Sequence, residues 1–309
     1  MAILIVATDR DVTPLQNKIH RLLGDKVEVW AYPHIPDPAA VEMVILWKHP
    51  TDLLTKLPQL GLISSLGAGV EHILNDPFLP AGIPITRIVD EALTVSMRNY
   101  VLMCVLNIHK QFLWYIENQR EKRWLKPAQV EIPMRIGVLG LGALGSDIAC
   151  SLAKLGFTVL GYSQSYKQLD GVSCLNSSQP LTKFMKQINA LICILPSTPA
   201  TKGILNYELF QHLPKGSALI NVARGIHLVE EDLIRAMQEG YINQAYLDVF
   251  QKEPLPQEHP FWTQSGIIIT PHIASITNQD NAAAIVAENY RRWKKGDVLR
   301  FEVDSKKGY

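Results

Sequence analysis

Three short segments in the second half of the chain carry residue types suited to anion binding and proton transfer. They are Asn221-Val222-Ala223-Arg224-Gly225, Asp248-Val249-Phe250-Gln251-Lys252-Glu253-Pro254-Leu255 and Thr270-Pro271-His272-Ile273-Ala274-Ser275. Each follows an apolar β-type run, so each falls just beyond a strand end, where the ligand sites of α/β folds form. Arginine, a carboxylate and histidine together suit reduction of a 2-keto acid. A guanidinium holds a carboxylate bidentately and polarises the neighbouring carbonyl better than an ammonium does. Histidine titrates where a proton can be delivered as hydride arrives. A carboxylate beside it fixes the tautomer and favours the imidazolium. Taken singly, each also has a plain structural reading: a strand-end histidine, a surface ion pair for Arg224, a loop charge for Glu253.

Hydride has to come from a cofactor, and residues 136–145 offer its seat: Ile-Gly-Val-Leu-Gly-Leu-Gly-Ala-Leu-Gly. An apolar run over 134–139 leads into Gly140-x-Gly142-x-x-Gly145, and a helical pattern over 143–155 follows. In a dinucleotide-binding turn Gly140 permits the tight bend, Gly142 lets the backbone approach a pyrophosphate, and Gly145 lets helix and strand lie close. The helix start, with Ala143 and Leu144 in its first turn, presents free N–H groups and a positive dipole end to the phosphates. The next strand ends Leu160-Gly161-Tyr162-Ser163-Gln164-Ser165-Tyr166-Lys167, and no acid occurs between Ile148 and Leu169. An acid there would bind the ribose 2′-hydroxyl of NAD and repel the 2′-phosphate of NADP. Ser163, Gln164, Ser165 and Lys167 therefore predict that NADP(H) is preferred; with Ser163 alone on the ribose, NAD(H) also fits.

These loops need a scaffold. At 309 residues the chain is long for one core, and two domains are expected. A hydrophobic fraction of 47% with 19% charged residues is that of a globular protein, and a formal net charge of +1 provides no field for nucleic acid or an anionic membrane. No apolar run reaches the roughly 18 residues that would span a bilayer. The opening residues, Met1-Ala2-Ile3-Leu4-Ile5-Val6-Ala7-Thr8-Asp9, read as a first core strand and lack the basic start and cleavage site of a signal peptide. Cys104, Cys150, Cys174 and Cys193 are scattered, with no C-x-x-C or H-E-x-x-H, so reduced thiols in the cytoplasm and no metal site are expected. Apolar runs at 3–7, 27–30, 43–47, 62–65 and 83–86 alternate with helical periodicity, which predicts a parallel sheet covered on both faces. A long helix is predicted over 94–123. Further strands follow at 134–139, 158–162, 190–195, 218–222, 244–248 and 266–269, and a last helix at 277–294. The spacing thus divides the chain into residues 1–96 plus 277–309 and residues 97–276, with the ligand expected in the cleft between them.

In order, these motifs resemble those of the D-isomer-specific 2-hydroxyacid dehydrogenases. Leu66-Gly67-Ala68-Gly69-Val70-Glu71-His72 resembles the substrate loop of that family, and Leu195-Pro196-Ser197-Thr198-Pro199-Ala200-Thr201 a further cofactor-side loop. The likeness covers nearly the whole chain. Leu46-Trp47 before Pro50, Gly225-Ile226-His227-Leu228-Val229-Glu230-Glu231-Asp232-Leu233 and the terminal Gly308-Tyr309 resemble the glyoxylate/hydroxypyruvate reductase A branch. The resemblance implies an α/β fold of two Rossmann-like domains: a flavodoxin-like substrate domain and an NAD(P)-binding Rossmann domain. It implies His272 as acid/base, Glu253 as its partner, and Arg224 on the carboxylate and carbonyl of the substrate. Backbone N–H groups of Ala68 and Gly69 would grip the carboxylate. Leu195, Pro196, Thr201, Val222, Ala223, Arg224, Asp248, His272 and Ala274 would adjoin the cofactor. Asp248 would fall near the nicotinamide carboxamide, or else cap a helix or fix a loop. The family's dimers, formed through the long helix, imply a homodimer.

Two positions depart from the pattern. Lys48, followed by His49, stands where related reductases have a histidine after the tryptophan; it reads either as a second cation for the substrate or as a solvated lysine. Asn99 stands before Tyr100, where the family often has an acid. Trp47 is expected to line the substrate pocket, and Trp124 to line it or an interface. His20, His34, His109, His212 and His259 read as structural, and Arg291-Arg292-Trp293-Lys294-Lys295 as a solvated helix C-terminus. The expected activity is NADPH-preferring reduction of small 2-keto acids, glyoxylate and hydroxypyruvate, to glycolate and D-glycerate. The alternatives are a dinucleotide-sensing scaffold with little turnover and a dehydrogenase of a bulkier keto acid.

Overall fold

The computed structural model describes residues 1–8, 10–89, 91–275 and 277–304. Gly308 and Tyr309 lie outside the described residues. The strands, in chain order, are β1 (Ala2–Ala7), β2 (Glu28–Ala31), β3 (Val41–Trp47), β4 (Leu62–Ser65), β5 (Ile85–Thr86), β6 (Arg135–Leu139), β7 (Thr158–Ser163), β8 (Val172–Asn176), β9 (Ala190–Cys193), β10 (Ser217–Asn221), β11 (Ile242–Leu247) and β12 (Ile267–Ile269). The helices are α1 (Thr13–Leu23), α2 (Glu71–Leu74), α3 (Glu91–His109), α4 (Phe112–Arg120), α5 (Ala143–Lys154), α6 (Leu181–Met185), α7 (Tyr207–Phe210), α8 (Glu230–Gln238) and α9 (Gln279–Lys295). The chain divides into two compact units, residues 1–93 with 276–309 and residues 94–275. The division lies beside the ends predicted at 96/97 and 276/277, because α3 begins at Glu91 and 93/94 falls in its first turn.

In the first unit five parallel strands run in the order β2-β1-β3-β4-β5. Residues Ile3-Leu4-Ile5-Val6 are wholly buried, as a strand covered on both faces must be. Ile3 and Ile5 pack with Leu15 and Ile19 of α1 and Ala283 and Val286 of α9, while Leu4 and Val6 pack with Leu53, Leu57 and Ile73. The strand order reverses between β1 and β3. A ligand crevice is expected at their carboxyl ends, which carry Thr8, Trp47 and Lys48.

In the second unit seven parallel strands run in the order β12-β11-β10-β9-β6-β7-β8. One face buries Leu139, Leu191, Leu219 and Leu247 against Phe184, Leu209 and Leu233; the other buries Ile136, Val138, Ile192 and Ile220 against Val101, Val105, Ile148 and Leu152. The reversal lies between β6 and β9, so the glycine turn after β6 stands at the switch point.

Two expectations change. The helix predicted over 94–123 is two helices, because Gln111 takes a left-handed φ of 55° between them. The returning segment holds that break: Ile132 N–H donates to His109 O at 2.9 Å, the His109 ring Nδ1–H donates to Ile132 O at 2.9 Å, and Gln111 donates to Gln129 O. Strand β8 was not predicted. It is a sheet edge whose Ser173 is exposed, so Val172 and Leu175 carry too little apolar signal.

Candidate functional site

In the second unit, His272 sits in the loop after β12 with a left-handed φ of 56°. Its Nδ1–H donates to Glu253 Oε2 at 2.8 Å, and Glu253 Oε1 accepts the Phe250 N–H at 3.1 Å. Among the described residues the ring Nε2 has no hydrogen-bond partner. A carboxylate only accepts, so the pair fixes the proton on Nδ1 and leaves Nε2 to exchange one.

Asp248 holds the loop that carries His272. Its side chain is buried; Oδ1 accepts from Thr270 Oγ1 at 2.6 Å and Ile273 N–H at 2.8 Å, and Oδ2 from Ala274 N–H at 2.8 Å. Its own carbonyl accepts the His272 N–H at 2.9 Å. Burial pushes the carboxyl above its ordinary value, and these hydrogen bonds pull against that. Thr270 spends its proton on Asp248, so Tyr100 donates to Thr270 Oγ1 across 2.6 Å. Burial raises the Tyr100 phenol and keeps it protonated for that bond. Of the two readings of Asp248, this geometry favours the loop-fixing one.

Arg224 follows β10 and is half-buried, with Nη1 donating to Ala223 O at 2.7 Å. The next residue is glycine for a steric reason: a Cβ at Gly225 would lie 1.9 Å from Phe250 C and 2.0 Å from Phe250 O. The Arg224 loop and the Glu253 loop are thereby pressed together. Val222, Ala223 and Ala274 are buried.

The glycine turn fits a dinucleotide. Gly140 has φ +108°, which L side chains rarely adopt, and a Cβ at Gly145 would stand 1.9 Å from Gly140 O. At Gly142 a Cβ would meet nothing within 4 Å among the described residues, so the backbone there is open to close approach by a ligand. Gly142 caps α5 with no side-chain bond, no acid occupies the first turn, and Gly142 and Ala143 are exposed while Leu144 is half-buried. The N–H groups of that turn are open to an anion.

At the end of β7, Ser163 Oγ donates to Ser165 O at 2.7 Å, and Gln164, Ser165 and Lys167 are exposed. The unpredicted β8 brings Ser177 beside them, with its hydroxyl on Gln164 O at 2.8 Å. In the 195–201 loop, Thr201 Oγ1 donates to Pro196 O at 2.7 Å, and Leu195 and Pro196 are half-buried.

In the first unit, Trp47 ends β3 beneath the Arg10 guanidinium, which lies 5.2 Å from its ring centroid. A Cβ at Gly67 would stand 3.0 Å from the Trp47 ring. Lys48 is exposed with φ 52°, and its carbonyl accepts from Thr8 Oγ1 at 3.0 Å. Four successive carbonyls of the neighbouring loop are engaged. Leu66 O accepts from Thr277 Oγ1 at 3.1 Å, Gly67 O from Ile88 N–H at 3.0 Å, Ala68 O from Arg87 Nη1 at 3.5 Å and Gly69 O from Ser65 Oγ at 2.6 Å. Among the described residues the N–H groups of Ala68 and Gly69 have no partner, which suits them to a carboxylate.

Several residues here escaped the sequence reading. Ser65 and Arg87 hold the Gly69 and Ala68 carbonyls, and Tyr100 and Thr270 brace Asp248. His49 and Asp76 form a buried 2.8 Å pair under the loop, and His72 packs on Trp47 at 5.1 Å. His227 is fully buried beside Arg224. Only His227 had a signal, its place three residues after Arg224. Trp124 is almost fully exposed.

A profile described as "D-isomer specific 2-hydroxyacid dehydrogenase, NAD binding domain" matches residues 102–274. The chain is 40% identical over 280 residues to glyoxylate/hydroxypyruvate reductase A of Serratia proteamaculans, covering 88% of this chain and 89% of that protein. It is 41% identical over 275 residues to the Photorhabdus laumondii protein of the same name, covering 87% and 88%. Among solved structures, a D-isomer specific 2-hydroxyacid dehydrogenase from Xanthobacter autotrophicus Py2, in complex with NADPH and MES, superposes with a TM-score of 0.94 at 36% identity, over 100% of this chain and 99% of that one. An NADPH-dependent glyoxylate/hydroxypyruvate reductase from Sinorhizobium meliloti, in complex with NADP and sulfate, gives 0.92 at 31% identity over the whole of both chains.

Proposed function

This chain belongs to the D-isomer-specific 2-hydroxyacid dehydrogenase family, and we propose on that premise that it reduces glyoxylate and hydroxypyruvate with NADPH, giving glycolate and D-glycerate. The names of the Serratia and Photorhabdus relatives and the NADP-bound Sinorhizobium structure support this reading. The observation that carries the chemistry is the 2.8 Å His272–Glu253 pair with a free Nε2.

NADPH, when bound, supplies the hydride. Gly140, Gly142, Ala143, Leu144 and Gly145 would hold its pyrophosphate, and Ser163, Gln164, Ser165 and Lys167 its 2′-phosphate. Leu195, Pro196, Thr201, Val222, Ala223, Asp248 and Ala274 would border the rest, so that residues 94–275 form the cofactor domain. Arg224 draws the substrate carboxylate and carbonyl oxygen and stabilises negative charge developing on that oxygen. The Ala68 and Gly69 N–H groups take the carboxylate, Trp47 walls the pocket, and Lys48 adds positive charge. His272 delivers its Nε2 proton to the oxygen, and Glu253 orients the ring through Nδ1. The substrate is a small molecule; no nucleic acid or membrane is involved. No helix among the described residues is long and apolar enough to cross a membrane. The free thiols fit a reducing cytoplasm. A second copy of the chain covers exposed Phe112, Trp124 and Leu125 in a homodimer, testable by light scattering.

The deciding assay follows NADPH and NADH absorbance with glyoxylate, hydroxypyruvate and a bulky keto acid in parallel. Fast NADPH oxidation with the two small acids is expected. Tight cofactor binding with no turnover overturns the reading.

A further inference from the structure

His227 lies wholly inside the second unit, yet both of its ring nitrogens are bonded. Nδ1 accepts the backbone N–H of Arg224 at 3.2 Å, and Nε2 meets Pro196 O at 3.1 Å. A backbone N–H only donates and a carbonyl only accepts. The ring is therefore neutral, with its proton on Nε2. Backbone pairing fixes the base of this side chain: Leu205 N–H donates to His227 O at 2.8 Å, Gly203 N–H to Ile226 O at 2.9 Å, and Val229 N–H to Leu205 O at 3.0 Å. The imidazole spans from that anchored base to two loops with different duties. One carries Arg224. The other turns at Pro196, whose carbonyl also takes the Thr201 hydroxyl at 2.7 Å.

We propose that His227 is a positioning residue which, through its two ring nitrogens, separately sets the Arg224 loop for the keto acid and the 195–201 loop for the dinucleotide. This rests on the assignment of those loops made above. The two halves of the ring can be separated chemically. In His227→Asn the short side-chain amide reaches where Nδ1 lies, so its oxygen can still accept from Arg224, but the link to Pro196 is gone. In His227→Gln the longer amide reaches the Nε2 position, so its N–H can still donate to Pro196, while the Arg224 N–H loses its acceptor.

The test measures NADPH binding by fluorescence titration, keto-acid KM and kcat by turnover, and Tm, for both variants and for His227→Leu. His227→Asn is expected to weaken NADPH binding about 10-fold with keto-acid KM held within about 2-fold. His227→Gln is expected to leave NADPH binding in place and to lose on the order of 10–100-fold in kcat/KM for glyoxylate, the scale of a small misplacement of a positioning group. His227→Leu should show both defects. Equal changes in both parameters for Asn and Gln, or changes in Tm alone, overturn the proposal. If the unaltered protein binds NADPH but turns over no keto acid, the functional reading fails instead, and the binding difference between Asn and Gln still decides the role of the ring.

Discussion

At the scale of single residues, the chemistry rests on where protons are allowed to be. Glu253 keeps a proton on His272 Nδ1, so Nε2, which has no hydrogen-bond partner among the described residues, is the nitrogen that takes up and delivers the catalytic proton. Removing the ring in His272→Ala should lower kcat by roughly 10²–10⁴-fold, the usual worth of general acid–base catalysis, with NADPH affinity nearly unchanged. Steady-state kinetics paired with a binding titration checks this, and an unaltered kcat removes His272 from the mechanism. Cofactor choice is also a single-residue matter. Ser163→Asp places a carboxylate where a 2′-phosphate would lie, so the kcat/KM ratio of NADPH to NADH should fall by about 10-fold or more, since charge repulsion replaces hydrogen bonding. An unchanged ratio would mean that the phosphate lies elsewhere. Residue types following apolar strands made Arg224, Glu253 and His272 candidates, and the family resemblance gave them their roles. Their supports were not legible. Tyr100 is distant from Thr270 along the chain, and only the fold brings its hydroxyl within 2.6 Å. Asn99 beside it has no part in that bond.

At the scale of elements, the strand ends do the positioning. The loop after β12 makes one turn that satisfies Asp248 and tips His272 into the left-handed region, so clamp and strain are one device. Asp248→Ala would leave the Ile273 and Ala274 N–H groups and the Thr270 hydroxyl without an acceptor. A loss of about 3 kcal/mol of unfolding free energy is expected in denaturant titration. Activity should fall further than His272 exposure alone explains, because the loop is no longer held; native-like stability would show that water replaces the carboxylate. The glycine turn is the element read most fully from sequence, since strand, turn and helix each leave a pattern. The α3–α4 break was not legible, because the returning 129–132 segment imposes it from outside the helix. Strand β8 was hidden because an edge strand needs only one buried face.

At the scale of the whole molecule, the alternation of apolar runs and helical periodicity carried both sheets, because parallel strands covered on two faces must be apolar throughout. The order of those strands, and with it the switch point beside Gly140, was not in the pattern; it emerges from crossover packing. The thiols offer a probe of that point. Cys193 ends β9 next to β6, is fully buried, and has its thiol pushed up to about 12 by burial; Cys104 is buried and likewise raised to about 12. Neither should react with an aromatic disulfide in the native protein at about pH 8, while denaturant should release all four free cysteines. Slow native labelling of Cys193 then reports opening of the seven-stranded sheet. A ligand that binds only the closed sheet stabilises it by RT ln(1 + [L]/Kd), about 2.7 kcal/mol at about 100 times Kd. NADPH at that concentration should therefore slow Cys193 labelling by about 100-fold when reclosing outpaces reaction. Glyoxylate alone, held by Arg224 on the same unit but much more weakly, should slow it far less. An NADPH-independent labelling rate would mean that the cofactor does not rest on this sheet, whatever the turnover assay gives.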